Sequence, residues 1–220
     1  KTALLRRCGR LEEAERTARE TCAYDPLDWG SLYELARLLD QAGQSGEAAE
    51  KRAFLRSVFG NRPDECMEVA GDYLSSGLYQ EAEEIVSFCP ETYPLRHYYR
   101  GYAQSMMGDP ASIESFRKAD ACPIDYCFPN RDMEFDILSL AMREDPAGAR
   151  APYYLGNIYY ARANTARAAE CWEESKRRDG RMAVVHRNLA LLDYEKLHDG
   201  IGAAAEMEQA FALEPENPRL

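Results

Sequence analysis

No apolar run in this 220-residue chain approaches the roughly 18 residues that a membrane-spanning helix needs, so no membrane partner is expected. The chain does not open on a basic, apolar, small-residue leader, and it shows no secretory signal. Cations are in deficit: 27 Lys and Arg stand against 38 Asp and Glu, for a formal charge of −11. A nucleic-acid platform normally shows a basic face, so no nucleic-acid partner is expected. Two readings of the acidity stand, a solvated surface or an acidic binding face. The seven cysteines (Cys8, Cys22, Cys66, Cys89, Cys122, Cys127 and Cys171) form no CxxC pair, which argues against a zinc ribbon or a dithiol redox motif. Several occupy small-apolar positions in helical patterns, and the compartment implied is reducing and cytoplasmic. For Cys122 and Cys127, which flank a Pro-containing loop, a disulfide is the alternative. Metal-ligand spacing, a phosphate-binding Gly-rich loop and a Gly-x-Ser-x-Gly elbow are all missing. His97, His186 and His198 lie on separate helical stretches, with no repeated spacing to carboxylates. No metal, cofactor or catalytic residue is therefore expected. A Cys–His pair is the one enzymatic reading left open.

A repeat is present instead. Gly9-Arg-Leu-Glu-Glu-Ala14, Gly43-Gln-Ser-Gly-Glu-Ala48 and Gly77-Leu-Tyr-Gln-Glu-Ala82 recur at a step of 34 residues, and Pro26, Gly60 and Pro94 keep the same step. Each feature has a physical role. Glycine adopts the left-handed conformation that ends a helix tightly. Alanine lets the next helix pack closely, and Pro or Gly then stops that second helix. Leu32, Leu35, Ala36 and Leu39 make one apolar stripe, repeated 34 residues later by Cys66, Val69, Ala70 and Tyr73. A lone hairpin cannot bury such faces, but stacked hairpins can.

This pattern resembles the tetratricopeptide repeat (TPR), a 34-residue helical hairpin. In the best-matching unit, Leu155, Gly156 and Tyr159 fall on the family's first-helix signature. Ala168, Trp172, Ser175 and Gly180 fall on the second helix and its break. Pro152 departs from the pattern, standing where the family has a large residue. The last unit follows with Leu189, Ala190, Ala203, Met207, Ala210 and Pro215, given one extra residue in its turn. The resemblance spans nearly the whole chain. It implies an all-α fold, an α-α superhelix or solenoid of about twelve helices.

The register breaks once. Pro94 and Pro146 are 52 residues apart, one repeat and about half of another. Helices are expected near 95–107 and 110–119, then an irregular stretch at 120–130 around Pro123 and Pro129, then a helix near 131–144. The organisation expected is a truncated first repeat and further hairpins over 1–119, an off-phase loop and extra helix over 120–147, and two hairpins over 148–220, packed as one solenoid. A bend or a break in the groove is expected at 120–147; the alternative is a longer loop that preserves the stack. The opening at Lys1 and the close at Leu220 read as a piece of something longer.

In the tetratricopeptide family, the first helix of each hairpin lines a concave groove that holds a partner. Carried over, the resemblance implies groove candidates Tyr33 and Arg37, then Tyr98 and Tyr102, then Tyr153, Asn157 and Tyr160, then Arg187, Asn188 and Tyr194. Asp40, Met67, Glu68, Leu74 and Arg150 complete the lining. Tyr and Arg suit interface hot spots, although Tyr also packs between repeats. Asn157 and Asn188 stand where carboxylate-gripping members place asparagines, but Tyr153 replaces the lysine that such a clamp wants. Residues 120–220, through Phe128-Pro129-Asn130-Arg131, Ala151–Asn157 and Arg187–Ala190, also resemble the C-terminal repeat tail of large bacterial proteins with an upstream mutarotase-like β-sandwich. Two functions follow: a non-catalytic scaffold for a protein or peptide, or an intramolecular spacer that docks on the protein's own upstream domain. The C-terminal run is the expected binding region.

Overall fold

The computed structural model describes residues 1–217, with Lys196 and Leu197 described by backbone alone. The final three residues of the C-terminal run, 218–220, lie outside it. Among the described residues there are thirteen α-helices and no strand. The chain forms two compact units, Lys1–Glu91 and Thr92–Leu220.

The first unit holds three antiparallel hairpins. Helix α1 (Thr2–Arg7) pairs with α2 (Leu11–Tyr24), α3 (Trp29–Gln41) with α4 (Ser45–Asn61), and α5 (Pro63–Ser75) with α6 (Tyr79–Val86). Gly9, Gly43 and Gly77 take φ of +75°, +77° and +71°. Each closes the turn by the same pair of bonds. In the first, Gly9 N donates to Arg6 O at 3.0 Å and Arg10 N to Leu5 O at 3.0 Å. This is the Schellman arrangement, which satisfies the carbonyls left over at the end of a helix. Ala14, Ala48 and Ala82 are buried at the crossings. Two of the expected helix stops lie elsewhere. Gly60 lies inside α4, and Pro63 opens α5. Pro94 likewise begins a helix rather than ending one. Proline suits the first helical position because that residue's N–H has no intrahelical partner.

A buried polar staple joins the three hairpins. Arg6 Nε donates to Glu34 Oε2 at 2.5 Å, and Arg6 Nη2 donates to Glu81 Oε1 at 2.9 Å. Tyr73 Oη donates to Glu34 Oε1 at 2.7 Å. Burial works against the charge on Glu81, but the bond from Arg6 outweighs it and holds the carboxyl below its usual range.

The second unit begins with the hairpin α7 (Pro94–Met106) and α8 (Ser112–Ala121), closed by Gly108 at φ +73°. Helix α9 (Asp132–Glu144) follows without a hairpin partner of its own and packs against α7 and against α10 (Arg150–Ala161). Glu134 on α9 is buried. Its carboxylate accepts from the Asn130 and Arg131 amides, at 2.5 and 2.8 Å, and from Tyr99 Oη at 2.9 Å. At the other end, Arg178 Nη1 and Nη2 donate to the carbonyls of Asp145, Gly148 and Met142, at 3.1, 2.8 and 3.1 Å. One guanidinium thus serves the carbonyl end of α9 and the turn after it.

Two further hairpins complete the unit: α10 with α11 (Thr165–Arg178), and α12 (Ala183–Leu192) with α13 (Gly200–Leu213). Gly156 lies under the Trp172 ring. A methyl group there would sit 2.5 Å from Trp172 Cδ1, so the close approach needs glycine. The extra residue expected in the last turn is absorbed by a π-helical segment, Asp193–Leu197, after which His198 takes φ +55°. No disulfide links any of the seven cysteines, so the alternative of a Cys122–Cys127 bridge does not hold.

Candidate functional site

Most candidates in the first unit are engaged in packing, whereas Glu68 is exposed and the half-buried Asp40 pairs with Arg52. Tyr33 is fully buried, and its hydroxyl donates to Glu84 Oε2 at 2.8 Å. Arg37 Nη1 donates to that same oxygen at 2.7 Å and to Tyr33 Oη at 2.8 Å, with its guanidinium over the Tyr33 ring. Both side chains are spent inside the stack. Met67 and Leu74 are core residues as well. The inward stripe of α3 and α5 is wide enough to take in positions that the family pattern assigns to the groove.

In the second unit Tyr98 is 1% exposed and packs edge-on against Tyr154. Burial pushes its phenol well above the usual value. It too is a core residue, whereas Tyr102 is half-buried. Arg150 turns back to the carbonyl of Cys122, which anchors the start of the irregular segment. Asn157 Oδ1 accepts from Trp172 Nε1 at 3.0 Å and from Asn188 Nδ2 at 3.1 Å. The two asparagines therefore bond each other across α10 and α12. A carboxylate clamp would need both amides turned toward a ligand. Tyr160 donates to Glu195 at 3.0 Å, and Tyr194 is exposed.

Tyr153 and Arg187 do meet. They line one cavity of about 330 Å³ in the second unit. Tyr153 on α10 and Val184 and Arg187 on α12 supply one side of the lining. Ile124, Asp125, Tyr126 and Phe128 of the irregular segment supply another, and Glu214 and Asn217 beyond α13 contribute a third. Tyr126 is 75% exposed and Phe128 70%. Tyr126 also has φ +56°, a left-handed conformation that is uncommon for a bulky residue. Burial pushes the Tyr153 phenol up, with Asn157 and Arg187 pulling the other way, so it stays protonated near neutral pH. The loop aromatics were absent from the sequence-derived site because they follow no helical period. Their one signal was two aromatics between Pro123 and Pro129.

Hairpins closed by left-handed glycine, with small residues at the crossings, make this an all-α fold of the tetratricopeptide type. No family model and no curated protein matches the chain. Several solved structures are similar to the chain at low identity. A structure of MamA is 17% identical over 100% of this chain and 97% of its own, with a TM-score of 0.38. YrrB, described as a TPR protein with an unusual peptide-binding site, is 12% identical over 91% of this chain and 93% of its own, with a TM-score of 0.39. A thermophilic TPR protein of Thermus thermophilus is 15% identical over 98% of this chain and 89% of its own, with a TM-score of 0.36. No described helix is long and apolar enough to cross a membrane.

Proposed function

We propose that this chain is a non-catalytic interaction scaffold that holds a peptide or protein segment in its C-terminal unit. The observation that supports the reading is the 330 Å³ cavity, where side chains from two helices meet two exposed loop aromatics. Its size lies near the lower end of the range for ligand pockets. Tyr126 and Phe128 offer contact area at a low cost in side-chain entropy, Tyr153, 8% exposed, closes the floor of the cavity, and Arg187 offers charge. On this reading binding falls in the 148–220 run, with the 120–147 segment as one wall. The absence of disulfides among seven cysteines fits a reducing cytoplasm. The test is to pan the protein against a displayed library of random twelve-residue peptides. A synthesised winner is then titrated by NMR. Amide shifts centred on Tyr153, Val184 and Arg187 are expected. An empty selection, or a footprint elsewhere, would sink the reading.

A further inference from the structure

The cavity in the second unit holds a cation with no carboxylate partner among the described residues. Arg162, Arg167, Arg177, Arg178 and Arg181 each hold a carboxylate within 3.1 Å. Arg187 makes no ion pair among the described residues; its polar contact is Nη1 to Asn188 Oδ1, at 3.5 Å. A half-buried guanidinium left so weakly bonded is poised for an external acceptor, because its planar fork matches a carboxylate in two parallel bonds. Beside it stand Tyr153, Val184 and the exposed rings of Tyr126 and Phe128.

We propose, resting on the scaffold reading, that this cavity is a subsite for one acidic side chain within a peptide, flanked by an apolar or aromatic residue. The carboxylate bonds Arg187, and the apolar neighbour packs on Tyr126 and Phe128. Glu214 also borders the cavity and repels further negative charge. The favoured segment therefore carries a single Asp or Glu among neutral residues, not an acidic run.

The test uses the whole protein and the panning winner, synthesised with an amidated C-terminus. Winners should share one acidic residue next to Phe, Leu, Tyr or Trp. Arg187→Gln should weaken the winner at least tenfold with an unchanged unfolding midpoint. Replacing the peptide's acid by its amide should cost the same, and the two changes together should cost little more than either alone. Phe128→Ala should weaken binding several-fold. Losses that simply multiply would place the acid away from Arg187 and overturn the subsite while leaving the scaffold intact. Binding that needs a free C-terminal carboxylate would also overturn it. A selection that yields no peptide would remove the scaffold reading and the subsite together.

Discussion

Ala163 closes the α10–α11 hairpin at φ +59°, where the other hairpins described in full place glycine or an inserted residue. Its amide and that of Asn164 donate to Tyr160 O and Tyr159 O, both at 2.9 Å, so the turn keeps the same bonds. Holding an alanine in the left-handed region costs about 1–2 kcal/mol. Ala163→Gly should therefore stabilise the second unit by about 0.5–1 kcal/mol, after subtracting glycine's larger unfolded entropy. Urea titration followed by Trp172 fluorescence would read it, and a lower midpoint would refute the account. Gly156 should behave in the opposite way. Gly156→Ala drives a methyl into Trp172 and should destabilise by about 1–3 kcal/mol. A shift in Trp172 emission should accompany the loss.

The off-phase helix α9 is the element that most needs explaining. Its sequence period puts Phe135, Leu138 and Ala141 or Met142 on one face; Leu138 and Ala141 are buried together with Ile137, while Phe135 and Met142 are half-buried. That period does not say what holds a helix with no hairpin partner. The structure supplies Glu134 at its start, and at its end Arg178, drawn from 33 to 36 residues away. Ser105 and Ser112 donate to Glu144 at 2.7 and 3.2 Å and tie its last turn to the preceding hairpin. Arg178→Met would leave three carbonyls without their donor. A loss of about 2–4 kcal/mol is expected. Hydrogen exchange should show α9 amides losing protection before those of α12. Uniform loss along the unit would argue that α9 is held by its apolar face alone.

For the whole molecule, acid is the informative variable. The Glu174 carboxyl is held down to about 2 by hydrogen bonds from Arg177 and Arg178. Burial opposes the charge of Glu206, but His186, at 2.6 Å, and Lys176 outweigh it and lower its pKa. Glu81 in the first unit is lowered in the same sense by Arg6. A carboxyl whose folded pKa is depressed adds stability that is complete above its unfolded value of about 4.3 and is lost as pH falls toward the folded value. Stability should thus stay level above about pH 5 and fall between about pH 4.3 and 2. Urea midpoints at pH 7, 5, 4 and 3 would show it. Glu174→Gln should lower the midpoint at pH 7 and flatten the fall below pH 4. An unchanged acid limb would show that Glu174 carries none of it.

Much of the scaffold was legible in the residues because helical hairpins rest on local rules. A 34-residue step, a left-handed glycine and a small residue at each crossing need only near neighbours, and they mark the turns of the first three hairpins. The extra residue in the last turn was visible for the same reason, since inserting one residue shifts the register; the structure takes it up as a π segment. The roles of Gly60 and Pro94 as helix stops were misread, because where a break falls depends on where the next helix starts. Groove membership was only partly readable. Tyr33, Tyr98 and Tyr153 stand at positions that the resemblance assigns to a groove yet are all buried, although Tyr153 also borders a cavity with the half-buried Arg187. The periodic pattern determined which residues lie on the inward stripe of each helix. Tertiary packing decided which of them remain open to a ligand, and it brought Tyr126 and Phe128 from an aperiodic loop to the same cavity. No local rule encodes that juxtaposition, since it depends on segments brought together only when the hairpins stack.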